Sequence, residues 1–337
     1  MLMEEISGKL KRDYGAYTFA LTGSFARGEE SSLVREGKVS YLNDLDLAVI
    51  CGEEARPPSS AFAGLREHLK SAYGLSADII IVGRKDAPAM LNSAFYHDLK
   101  HYGKFLAGDP ALFESLPASP GISPEEGEIF IFNRSLCLLE ALYDDRLEDS
   151  LRTQKALKAV LDPARALLIL RGIYAPGIKG IAEHFRTQFG SAADPSLVEE
   201  AAFRKISGGP PDKKSRPGAA FTERCAAFYR KAAMLFYSEY LGARDEKELI
   251  NNYYILKWKK GGCVYAVSDV FKRARLLVSR GRINDDAGVI NSALLFYLLT
   301  GDKGYLEKMF SRLEKPVPAG ALIKGAIDIW YEKLHSS

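Results

Sequence analysis

Apolar residues fall into two rhythms along the 337-residue chain. In the first third, short apolar runs alternate with amphipathic stretches. Residues 3–13 are expected to form a helix, and Tyr17–Leu21 a strand. Leu45–Ile50, "LDLAVI", is apolar enough for a buried strand, and Ala61–Tyr73 reads as an amphipathic helix. Ala77–Val82, "ADIIIV", is short and β-branched, which predicts another strand. Leu91–Leu106 is expected to be a further helix. The pattern describes a small mixed sheet covered by helices, an α/β (α+β) domain over residues 1–115.

The second rhythm begins after "ESLPASPGISPEEGE", Glu114–Glu128, a stretch rich in Pro, Ser and Gly. It is the best domain boundary in the chain, with residues 116–127 as linker and a point of expected proteolytic access. Residues 128–337 are expected to be all α-helical. Val270, Phe271, Ala274, Leu277 and Val278 recur at helical spacing, as do Ala321, Leu322, Ile323, Ala326, Ile327 and Trp330. Asp162-Pro163 reads as a cap followed by a first-turn proline, so a helix is expected to restart there and run to Arg171. Residues 207–218, "SGGPPDKKSRPG", read as a long polar loop.

Composition narrows the class without naming a function. The chain is 47% apolar and 26% charged, ordinary for a globular protein, and its formal charge of +3 does not announce polyanion binding. Cys51, Cys137, Cys225 and Cys263 are scattered, which fits neither a zinc site nor a disulfide framework. No apolar run has membrane-spanning length, since "ALLILRGIYA" is broken by Arg171. The N-terminus lacks an apolar signal core, and a cytoplasmic location without membrane partners is expected.

Candidate chemistry clusters in the first domain. The run ending at Leu21 stops at Thr22-Gly23-Ser24. Glycine there admits a turn closed to other residues and brings main-chain amides near a ligand. Ser24 adds a hydroxyl that can cap a following helix, and amides converging at such a start favour phosphate. An ordinary strand-to-helix turn is the alternative. The next strand opens with Asp44 and Asp46, which strand alternation puts on one face. Two carboxylates side by side repel unless a cation shares them, and hard oxygen ligands suit Mg²⁺. Asp78 opens the following strand and joins the same edge if the two strands are neighbours. Three acids beside a phosphate-binding turn describe metal-assisted phosphoryl or nucleotidyl transfer. Singly, each is also a common turn or strand-end residue.

"GSFARGE", then "NDLDLAVI", then "DIII" resembles the DNA polymerase beta-type nucleotidyltransferase superfamily over residues 15–110, in its minimal, kanamycin-type form. The resemblance implies that Gly23 and Ser24 hold a nucleoside triphosphate, with ATP the first expectation. It implies that Asp44 and Asp46 bind Mg²⁺, that Asp78 assists two such ions and acts as base, and that Arg27 contacts substrate or the acids. The acceptor would be a small molecule, a protein or an RNA end. Residues 164–190 are similar, more weakly, to helical bundles of kanamycin-type enzymes and to HEPN domains. The Arg-x-x-x-x-His motif of ribonuclease HEPN toxins is not evident around His184. The segment between Ser24 and Asp44 is longer than the family's usual one, which suggests a hairpin or an altered substrate. A different class, a nucleotide-binding regulatory or antitoxin-like module, remains the alternative.

Lys213-Lys214-Ser215-Arg216, Lys257–Lys260 and Lys272–Arg282 are basic clusters, read as solvated faces or as contacts for phosphate or a tRNA-like substrate. No DNA-binding motif is evident. His97 and His101 have metal-compatible spacing, but with no third ligand apparent they read as cleft-lining or surface residues.

Overall fold

The computed structural model describes residues 2–30, 32–35, 38–41, 43–52, 56–85, 87–207, 219–245, 248–249, 252, 294–295, 297–304, 306–307 and 322–335. The expected helix around Val270–Val278, most of the polar loop, all three basic clusters and Cys263 lie outside these residues. The chain divides into two units. One holds Met1–Ser123 with Pro176–Ile178 and Lys205–Gly209; the other holds the rest. The break after Ser123 lies within the Pro-rich stretch, and a helix begins at Pro124, inside the expected linker.

In the first unit, α1 (Leu2–Asp13) has Glu4 and Glu5 in its first turn and Lys11 and Arg12 in its last, which complements the helix dipole. Its buried Ile6 and Leu10 lie one turn apart and face the sheet core. There follow β1 (Thr18–Thr22), α2 (Gly23–Arg27), β2 (Ser32–Arg35), β3 (Lys38–Tyr41) and β4 (Leu45–Cys51). A 3₁₀ turn (Ser59–Phe62) precedes α3 (Ala63–Tyr73), β5 (Ala77–Gly83), α4 (Ala87–Met90), α5 (Ala94–Tyr102), β6 (Lys104–Ala107) and α6 (Pro110–Glu114).

The main sheet has the order β5-β4-β1-β6, with β4 and β5 parallel and both other pairings antiparallel. It is the mixed sheet the pattern predicts. Strand alternation divides its side chains between two cores. Phe19, Leu21, Leu45, Leu47, Val49 and Ile81 pack with Ile6, Leu10, Phe62, Leu65 and Leu69 on one side. Ala20, Ala48, Ile50 and Val82 pack with Ala87, Tyr96, Leu99 and Leu116 on the other. The long segment after Ser24 contains the hairpin β2–β3, paired Val34 with Val39 and Arg35 with Lys38.

Two expectations fail. The helix predicted through Leu106 stops at Tyr102, and after Gly103 the chain pairs Lys104–Ala107 with β1. The open edge of β1 outweighs a local helical preference, a tertiary effect invisible to periodicity. At Asp162-Pro163 no helix restarts.

That second correction lies in the other unit, whose regular structure among the described residues is helical: α7 (Pro124–Tyr143), α8 (Asp149–Leu170), α9 (Ile178–Phe189, its first residue counted with the first unit), α10 (Pro195–Ser207, its end from Lys205 counted with the first unit), α11 (Ala219–Leu241) and a helix at Leu322–His335. α8 runs unbroken through Pro163, although proline there removes one N–H and crowds the preceding turn. Asp162 does not cap. Its carboxylate accepts from Arg134 Nε on α7, and the two side chains are only 12% and 23% exposed. Buried Ala156, Val160, Ala164 and Leu167 hold the helix on both sides of the proline. Of the terminal pattern, Leu322, Ala326 and Ile327 are buried on the last helix and Ile323 is half-buried, while Ala321 lies outside the described residues. No described helix is long and apolar enough to cross a membrane.

Candidate active site

β1 brings its last residue, Thr22, opposite Asp46 near the start of β4, and Asp46 is the in-register parallel partner of Asp78 on β5. Registered partners share a face, so Thr22, Asp46 and Asp78 form one rung across three strands. Neighbouring strands lie about 4.8 Å apart. The same alternation runs Asp46-Ala48-Ile50 and Asp78-Ile80-Val82, so the two carboxylates end the face covered by α5. Asp46 is half-buried and Asp78 exposed. Asp44, also exposed, lies one residue ahead of β4.

The turn after β1 is built around Asp46. Gly23 has φ +67°, the left-handed region that side chains disfavour. A Cβ on Gly23 would stand 1.9 Å from Asp46 Oδ2 and 2.8 Å from its Cγ. The bare Cα is what lets the carboxylate sit against the turn. α2 starts at Gly23, so Ser24 lies inside the helix rather than capping it; the cap position belongs to Thr22, whose side chain makes no capping hydrogen bond. The helix ends at Gly28, with φ +69°, and Glu29 N–H donates to Ser24 O at 2.9 Å.

Arg27 pairs with two acids outside the predicted set. Its Nη1 donates to Asp98 Oδ2 at 2.5 Å and its Nε to Glu29 Oε2 at 3.2 Å. Glu29 Oε1 in turn accepts from the backbone N–H of Ile178 at 2.7 Å. Arg27 and Asp98 are each 13% exposed, so this is a mostly buried ion pair tying α2 to α5. Sequence reasoning missed Asp98 and Glu29. A signal was present for Asp98: it stands beside Leu99 and one turn from Ala94 on the apolar side of a short helix, where a charge needs a partner.

Of the predicted residues, the fold therefore joins Gly23, Asp46 and Asp78 at one end of the sheet, with Ser24 in the helix that starts there. Asp44 is not drawn into a cage: among the described residues no group of three or more His, Cys, Asp or Glu side chains is gathered for a metal ion. The donor set itself, carboxylate oxygens on one rung with a third at the head of β4, has the chemistry of a hard divalent cation such as Mg²⁺. Comparison with protein-family models, curated proteins and solved structures finds no match.

Proposed function

We propose that this protein is a Mg²⁺-dependent nucleotidyltransferase, moving a nucleoside monophosphate from a triphosphate, ATP first among the candidates, to an acceptor hydroxyl with release of pyrophosphate. The observation that carries the reading is the rung Thr22–Asp46–Asp78 with Gly23 laid against the Asp46 carboxylate. A strand end that must be glycine, beside two acids in register, meets the needs of phosphate and cation together. Bound Mg²⁺ would offset charge developing on the phosphate oxygens. Asp46 and Asp44 would hold it, and the amides of the Gly23–Ser24 turn would receive the triphosphate. Asp78 would help hold a second ion and take the acceptor's hydroxyl proton. Arg27, fastened to Asp98 and Glu29, would fix α2 so that the turn keeps its shape.

The test uses each labelled triphosphate with Mg²⁺ and cell extract, for the wild type and two variants. Label should reach a defined acceptor. Asp46→Asn should lose Mg²⁺-dependent nucleotide binding by calorimetry, while Asp78→Asn should still bind and transfer on the order of 10²–10⁴-fold more slowly. Nucleotide binding without any transfer would favour a regulatory module. Full transfer activity in Asp78→Asn would remove that residue from the site.

A further inference from the structure

α5 carries a feature that nucleotidyl transfer does not use. His97 and His101 stand one helical turn apart, and their rings lie 4.3 Å centroid to centroid with planes at 41°. His97 is half-buried and His101 exposed. The Ser119 hydroxyl, 3.2 Å from His97 Nδ1, decides where the His97 proton sits. Ser119 has one proton to give, and its other oxygen neighbours are the carbonyls of Leu91 at 2.8 Å and Gly121 at 3.4 Å. A carbonyl only accepts, so the proton goes there, and Ser119 Oγ must accept from His97 Nδ1–H. The neutral ring then carries its lone pair on Nε2, the tautomer of a metal-ligating histidine whose other nitrogen is engaged by a partner. Burial, and next the neighbouring His101, hold His97 below the ordinary imidazole pKa, with Asp98 acting in the opposite sense.

We propose that His97 and His101 together bind a divalent transition-metal ion through two imidazole nitrogens. The spacing fits. Imidazole nitrogens lie ~2.0–2.1 Å from such an ion, which puts two rings coordinated at a right angle about 4.5 Å apart between centroids. The observed separation of 4.3 Å lies near that value. Imidazole selects Cu²⁺, Ni²⁺ and Zn²⁺ and not Mg²⁺, so the donor chemistry differs from that of Asp46 and Asp78. No third His, Cys, Asp or Glu joins the pair among the described residues, so water or an incoming ligand completes the coordination.

The site is built into the segment leading out of the first unit. Tyr96 OH donates to Pro117 O at 3.0 Å, Lys100 Nζ to Glu114 O at 3.0 Å, and Ser123 N–H to Asn92 O at 3.1 Å. Ser119 belongs to this stitched stretch. A metal on Nε2 strengthens Nδ1–H as a donor and so tightens the hold of α5 on residue 119.

Calorimetry on tag-free, full-length, nucleotide-free protein tests this with Cu²⁺, Ni²⁺ and Zn²⁺. One site per chain is expected, with Cu²⁺ bound most tightly. His97→Gln and His101→Gln should each weaken binding at least ~10-fold, and His68→Gln on α3 should leave it unchanged. Ser119→Ala keeps both ligands yet should weaken binding ~10-fold through loss of the orienting hydrogen bond, which a chance pair of surface histidines would not show. Thermal melts establish that each variant is folded. No binding, or equal affinity in the wild type and both histidine variants, overturns the proposal. So does binding lost in Asp46→Asn instead, and so does unaltered affinity in Ser119→Ala.

Discussion

Replacing Gly23 by alanine separates two consequences that are usually confounded. The first is backbone strain. With φ at +67°, a side chain at residue 23 costs ~1–2 kcal/mol. The second is displacement. The new methyl would begin 1.9 Å from Asp46 Oδ2, so the carboxylate must retreat by more than ~1 Å to reach van der Waals contact. Gly28 provides the control. Its φ is nearly the same, +69°, but a Cβ there meets nothing within 4 Å. Gly28→Ala therefore carries the strain alone, a fall in Tm of about 2–6 °C. Gly23→Ala carries strain and a displaced carboxylate, and a ~1 Å misplacement costs ~10²-fold where geometry sets a rate. Differential scanning fluorimetry and Mg²⁺-nucleotide calorimetry on both variants provide the readouts. Both should melt lower, and only Gly23→Ala should lose nucleotide binding. If Gly23→Ala binds as the wild type does, or the two variants lose affinity alike, the turn is structural and Asp46 is not positioned by it.

Two further expectations concern stability. Asp98→Ala would remove the shorter ion pair of the Arg27 guanidinium where both partners are 13% exposed, at a cost of about 3 kcal/mol by urea unfolding; a loss under ~1 kcal/mol would mean that Glu29 and the other groups around Arg27 hold it without Asp98. At Asp162, burial pushes the carboxyl pKa up, but Arg134, Arg165 and the Arg134 hydrogen bond outweigh it and leave the pKa below its ordinary value. Its contribution is therefore present above the unfolded value of ~3.9 and lost as pH falls through the lower folded value. Wild type should lose more stability than Asp162→Asn between pH 5 and pH 2, about the range in which carboxylates protonate. Parallel acid-denaturation curves would contradict this.

How much of this was legible in the chain depends on whether the cause was local. β4 and β5 were readable because their apolar runs are bounded by Asp44–Asp46 and by Asp78, and the rung follows once those strands are neighbours. Gly23 was readable as a turn, but its contact with Asp46 was not, since that depends on the register of β1 against β4. β6 was hidden because four residues after a glycine carry no period, and only the open edge of β1 makes them a strand. Pro163 misled for the same reason. Read locally, Asp-Pro is a helix start; in the fold, Arg134 claims Asp162 and the packed α8 passes through. Arg27 is expected from its place after the turn to contact substrate or the acids, and its ion pairs with Asp98 and Glu29 were not legible because they depend on how α5 packs beside α2.

The two acids of the rung differ in a way that predicts different tolerance to the same change. Asp46 is half-buried on a central strand, and its carboxylate fits against a glycine with no space for a methyl. Asp78 is exposed on β5, an edge strand of the sheet. Glutamate keeps the charge and adds one methylene, ~1.3–1.5 Å of reach. At residue 46 that length drives the carboxylate into or away from the turn, because the packed strands on either side cannot yield. At residue 78 the longer side chain can bend toward solvent and bring its oxygens back near their original place. Asp46→Glu should therefore reduce labelled transfer by ~10² or more, whereas Asp78→Glu should stay within ~10-fold of wild type. Glutamate keeps the charge in both, so a difference in rate reports geometry, with melting curves checking that both variants fold. Equal rates in the two variants would mean that Asp46 is not held by Gly23, and the role given to that contact would have to be abandoned.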